Sequence, residues 1–381
     1  MKKTKFITLF FLIFLQFNVF GKVKNAVTFG NHAERIPTIE NNIYRIFMDM
    51  NGHFYPENII SDQELKTGGQ SQLSLWAKNY PRKFELIAQS YKLNNTTYTE
   101  RNYDILQDSI RSSITNRINQ FEFQNQTWLI HGFRKKITKD ETDGLKVESP
   151  SSDFGNLECR NRISTYTSNN DIENLFIEVY WDGKYMTRGG LIRMIKIGFL
   201  FKNHAIPNAL NCGYALRKIF KETECQKVKI ITHSTGTYVV SNLLFNIEPT
   251  SNNLQTPKQS DIRIAYTASA SPGIKHFKNY YNRSTDIDYQ KKDNYSILNF
   301  INKSDFVLLK KKGFIKLPKL LGNTTLGCDF KGESKKLKEY FTKNYPNSKY
   351  TEAYNKYNAD HWFKSYIKSK GFDYVLNFLY N

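Results

Sequence analysis

The sequence predicts an α/β protein built on a doubly wound, mostly parallel sheet, with a hairpin and helices added at the N-terminus. Two observations carry this. From Trp128 to Leu379 short apolar runs alternate with longer segments of helical period, the order that a parallel sheet with crossover helices demands. The runs are short and bounded by turn residues, as in Val228, Ile230 and Ile231, which suits strands covered on both faces.

Strands are expected near 127–131, 174–180, 228–233, 262–268 and 295–301, and helices near 190–203, 206–221, 237–247, 333–343 and 361–379. Upstream, residues 43–55 read as a hairpin turning at Asn51-Gly52, with helices over 71–92 and 102–120. The organisation that follows is an extension of hairpin and helices over 22–120, packed on a core domain over 121–381. Residues 138–172 are polar and without period, which predicts a long loop of the kind that forms lids. The apolar stretch 191–201 reads as a buried helix, with a mobile lipid-facing lid as the alternative.

The first 21 residues carry three lysines and then an apolar run from Phe6 to Phe20, the pattern of a signal peptide cleaved near Gly21. An exported, periplasmic or secreted, protein is expected. No later segment reaches about 18 uninterrupted apolar residues, so no membrane-spanning helix is expected. The formal charge of +20 falls to +17 once those three lysines are removed. No arginine-rich tract or nucleic-acid motif accompanies that charge, so nucleic acid is not an expected partner; an anionic membrane surface is the more reasonable one. The four cysteines, Cys159, Cys212, Cys225 and Cys328, allow one or two disulfides in an exported chain but have no metal-site spacing. No cofactor or metal is implied.

Residues 228–246 join a strand to a helix through a turn that carries Ser234. A serine hydroxyl is a weak nucleophile, so this geometry has chemical meaning only with a base, an orienting acid and oxyanion donors. His233-Ser234-Thr235-Gly236 resembles the second half of the G-x-S-x-G nucleophile elbow of α/β-hydrolases, with Thr232 in place of the first glycine. Upstream, the strand ending in His131-Gly132-Phe133 resembles the His-Gly element of lipases and esterases. The resemblance covers about residues 120–381 and implies an α/β-hydrolase fold, with the N–H groups of Phe133 and Thr235 as oxyanion donors.

Chain order then assigns the partners. Asp305, just past the strand 295–301, is the expected acid, with Asp329 as its competitor. His361, the last of seven histidines, is the expected base. His233 reads as a packing or supporting residue and His131 as a loop organiser that, with Gly132 and Trp181, borders the substrate. The expected activity is cleavage of carboxylic esters, lipid esters among them, through an acyl-enzyme on Ser234. Two alternatives stand beside it: a membrane-damaging phospholipase-type toxin with the same triad, and an inactive hydrolase-fold binding module.

Overall fold

In the computed structural model, the strands are β1 (Ile39–Glu40), β2 (Ile43–Phe47), β3 (Asn125–Ile130), β4 (Arg134–Thr138), β5 (Leu175–Tyr180) and β6 (Lys184–Arg188). They continue with β7 (Lys227–His233), β8 (Asp261–Thr267), β9 (Tyr295–Ile301), β10 (Lys311–Lys312), β11 (Ile315–Lys316) and β12 (Lys349–Tyr354). The structure describes residues 39–56, 73–138, 155–168, 172–181, 183–188, 201–245, 261–271, 273, 295–309, 311–312, 315–316, 325–345, 347–356 and 360–381. Eight strands form one sheet in the order β1-β2-β5-β3-β7-β8-β9-β12. Every neighbouring pair in it is parallel except β1 with β2. Strands β4 and β6 pair in parallel apart from it, and β10 and β11 form a short antiparallel ladder.

The central strands are buried at successive residues, all of β5 and β7 from Val228 onward, so both faces need cover. On one face α1 (Leu73–Asn79), α2 (Pro81–Ser90), α3 (Glu100–Asn119), α5 (Ile206–Glu222), α6 (Gly236–Leu244) and α7 (Glu333–Asn344) pack over Trp128, Ile177, Ile230 and Ile264. On the other, α4 (Asn156–Ser168), α8 (Phe363–Lys368) and α9 (Phe372–Tyr380) pack over Leu129, Phe176, Ile231 and Ala265. Helix α5 buries Ala209, Cys212, Leu216, Ile219 and Phe220 at helical spacing. At Gly213 its backbone meets α6 so closely that a Cβ would run into the Val239 carbonyl. This contact seats the helix that follows Ser234.

Glu178 in β5 is wholly buried and accepts hydrogen bonds from Arg45 Nε at 3.0 Å, Arg160 Nε at 2.7 Å and the Tyr180 hydroxyl at 2.7 Å. A carboxylate tolerates such burial only with its charge and lone pairs matched, and here the matching ties β2, β5 and α4 together.

Several expectations change. The 43–55 segment does turn back at Asn51-Gly52, where Met48 bridges Phe54 and Tyr55 N–H donates to the Phe47 carbonyl at 3.0 Å, but its first arm, β2, runs parallel to β5 within the main sheet. The N-terminal segment is therefore part of the sheet and not only packed on it. Pro81, which cannot donate a helix hydrogen bond, divides the expected 71–92 helix into α1 and α2. Residues 138–172, expected as loop, contain α4. Ser369 has extended backbone and splits the expected final helix into α8 and α9. No disulfide joins the four cysteines. The expected leader over 1–21 lies outside the described residues, as does 191–200; Phe201–Ala205 is a π-helical turn. Among the described residues no helix is long and apolar enough to cross a membrane.

Replacing Glu178 by Ala leaves two arginines facing a buried vacancy and should lower the unfolding free energy by about 3–5 kcal/mol in urea titrations. Replacing Glu40, whose side chain is 49% exposed where it meets Arg45, should change it by less than about 1 kcal/mol.

Candidate active site

The strand order reverses at β3 and β7. From β3 the chain proceeds to β5 on one side, and from β7 to β8 on the other, so the loops beyond these two strands diverge and leave a crevice. His131-Gly132-Phe133 leaves β3 there, and Ser234 follows β7.

Ser234 has φ +51°, a left-handed conformation that costs a non-glycine residue roughly 1–3 kcal/mol. Its N–H donates to the Thr267 carbonyl at 3.0 Å, and its own carbonyl accepts from Ala270 N–H at 3.1 Å and the Thr237 hydroxyl at 2.8 Å. A Cβ at Gly236 would lie 2.6 Å from both the Ile130 carbonyl oxygen and Thr232 Oγ1. Thr232, the departure from the elbow pattern, thus fits because Gly236 leaves it room. A Cβ at Gly132 would lie 2.7 Å from Ser234 Cβ and from the His233 carbonyl oxygen. The His-Gly loop therefore lies directly against the serine.

The three residues assigned by chain order meet. Ser234 Oγ is 3.0 Å from His361 Nε2, and His361 Nδ1 is 2.8 Å from Asp305 Oδ2. Asp305 is fully buried in the turn after β9, where Oδ1 accepts the N–H groups of Val307 and Leu308, each at 3.0 Å. Oδ2 also accepts the Tyr366 hydroxyl at 3.0 Å. Burial pushes the Asp305 pKa up, but the nearby His361 and these hydrogen bonds outweigh it and hold the group below the usual carboxylate value. An ionised Asp305 can only accept, so His361 carries its proton on Nδ1 and turns the Nε2 lone pair toward Ser234. Asp329, the competing acid, instead accepts the Ser334 N–H at 2.9 Å at the start of α7.

His233 does more than pack. Its Nε2 is 2.8 Å from the His361 carbonyl, which can only accept, so Nε2 carries the proton. Its ring stacks on Phe363 at 5.2 Å. Burial, and then the neighbouring His361, push its pKa down to about 3, which keeps it neutral. His361 is thus anchored through its own backbone. The sequence hint was adjacency to Ser234; the donor role needed the fold.

His131 and Trp181, expected at the substrate, are buried and stacked on each other at 5.3 Å and 3°. Trp181 N–H donates to His131 Nε2 at 3.2 Å and Trp181 Nε1 donates to the His131 carbonyl at 2.8 Å. His131 Nδ1 then donates to the Gly132 carbonyl at 2.8 Å. These contacts fix the loop after β3 from behind, a supporting position and not a pocket wall. Phe133 N–H, an expected oxyanion donor, donates to Thr235 Oγ1 at 2.9 Å. The Thr235 N–H has no acceptor among the described residues.

The His233 shift has a definite sign. Between its ordinary value of 6.5 and about 3, the unfolded chain binds a proton that the folded chain refuses, so stability falls with pH through that window. In His233→Gln that contribution disappears. Its unfolding free energy, measured between pH 6 and 4, should fall less steeply than the wild type by up to about 1.4 kcal/mol per pH unit, the value of one proton. Comparison of the chain with protein-family models and with curated proteins gives no match.

Proposed function

We propose that this chain is a serine hydrolase of the α/β-hydrolase type that cleaves carboxylic esters, lipid esters included. The observation that carries the reading is the continuous chain from Ser234 Oγ to His361 Nε2 at 3.0 Å and from His361 Nδ1 to Asp305 at 2.8 Å. These lengths lie within the range of proton transfer between a positioned base and its nucleophile. In this reading His361 takes the Ser234 proton as Oγ attacks the ester carbonyl. Asp305 stabilises the imidazolium so formed, and His361 returns the proton to the leaving alkoxide. Water then repeats the sequence on the acyl-enzyme. The basic and apolar first 21 residues support export of the enzyme, and the charge of +17 that remains without their three lysines supports encounter with an anionic lipid surface.

A fluorophosphonate probe should label the wild-type protein and not Ser234→Ala. Hydrolysis of p-nitrophenyl acetate should fall by roughly 10⁴–10⁶-fold in Ser234→Ala and His361→Ala. It should fall about 10⁴-fold in Asp305→Asn, which presents the wrong hydrogen-bonding group to Nδ1. Equal labelling of wild type and Ser234→Ala would sink the assignment of Ser234, and labelling of neither would favour a binding module.

A further inference from the structure

Thr235 carries a second polar group, its hydroxyl, beside its backbone N–H. Its Oγ1 accepts the Phe133 N–H at 2.9 Å, so this hydroxyl oxygen stands where that N–H would otherwise hold an oxyanion. Thr235 is fully buried, one residue beyond the nucleophile and at the N-terminus of α6. None of the described residues accepts the proton of its hydroxyl. A hydroxyl that accepts one hydrogen bond keeps its own proton to give, and accepting polarises that proton toward a stronger donation. Buried donors without partners are costly and uncommon, which suggests an acceptor supplied by the ligand.

We propose that the Thr235 hydroxyl is itself an oxyanion donor, resting on the serine-hydrolase reading above. As the Ser234 Oγ–carbon bond forms, the carbonyl π pair moves onto oxygen. That oxygen accepts from the Thr235 O–H and the Thr235 N–H together. The Thr235 proton is not transferred. Phe133 then acts as a positioning residue whose N–H aims the hydroxyl, in place of the direct contact that the sequence resemblance implies. A competing geometry makes the hydroxyl a plug that blocks Phe133 N–H, and it predicts an effect of opposite sign.

The test is steady-state hydrolysis of p-nitrophenyl acetate by Thr235→Val, Thr235→Ala and Thr235→Ser, with Ser234→Ala as the reference. Loss of one oxyanion donor lowers kcat by about 10²–10³-fold, so Thr235→Val and Thr235→Ala should fall by that amount with little change in KM. Thr235→Ser keeps the hydroxyl and should stay within about tenfold of the wild type. Affinity for a trifluoromethyl ketone, whose serine adduct carries the oxyanion, should fall in proportion to kcat/KM. Should Thr235→Val fail to fold, Thr235→Ala and its ketone affinity decide the matter. Wild-type or raised kcat in either variant overturns the proposal and leaves the triad standing. Ester turnover that persists in Ser234→Ala overturns the hydrolase reading itself.

Discussion

The left-handed backbone of Ser234 is the constraint on which the rest of the site depends. A serine gains nothing locally from φ +51°, and the conformation persists because three segments close around it. Thr267 and Ala270, at the end of β8, hold its N–H and carbonyl, and the Thr237 hydroxyl holds the carbonyl from α6. Each such hydrogen bond contributes about 1 kcal/mol, enough together to offset a strain of roughly 1–3 kcal/mol. The same closure leaves no room for a side chain at Gly132 or Gly236. It also explains Gly213, one layer further out, where α5 must touch α6 to keep that helix against the turn.

Around this fixed point Asp305 and His361 arrive from segments distant in sequence, and electrostatics decides the state of Asp305. Asp305 is buried as an anion because four donors converge on its two oxygens: two backbone N–H groups, His361 and Tyr366. An amide in its place would match the backbone donors on one oxygen but would present the wrong group to His361 if its nitrogen faced the ring. Tyr366 belongs to α8, which also carries the Phe363 ring under His233. One short helix therefore supports both Asp305 and the residue that anchors His361.

Most of this arrangement was legible in the sequence, for identifiable reasons. The central strands followed from apolar runs that are buried on both faces, Ser234 and Asp305 from where two of those strands end, and His361 from the chain order that the resemblance implies and from its place as the last histidine. Strand β12 was not legible, because its Lys349-Tyr350-Thr351-Glu352 pattern is that of a sheet edge, half solvated and without an apolar run. Helix α4 was hidden because its polar composition gives little amphipathic signal, while tertiary contact buries Cys159 and Ile163 beneath it. At the site, residue types were legible and hydrogen-bond partners were not. Nothing in Phe133 or Thr235 announces that the N–H of one meets the hydroxyl of the other, since that contact spans β3 and α6 and exists only once the sheet has formed.

The three histidines near the serine differ in what stands behind each ring. Each is held in one tautomer by a different acceptor. His131 gives its Nδ1 proton to the Gly132 carbonyl, and its Nε2 is already occupied by the Trp181 N–H. His233 gives its Nε2 proton to the His361 carbonyl. Only His361 faces a carboxylate, and only its second nitrogen faces Ser234. A neutral carbonyl can orient an imidazole but stabilises an imidazolium far less than a carboxylate does in a buried setting. Burial and the neighbouring His361 keep His233 neutral, whereas the carboxylate of Asp305 stands against Nδ1 of His361 and accepts its proton in a hydrogen bond. The group behind the ring is thus what distinguishes the three: a backbone carbonyl at His131 and at His233, a carboxylate at His361.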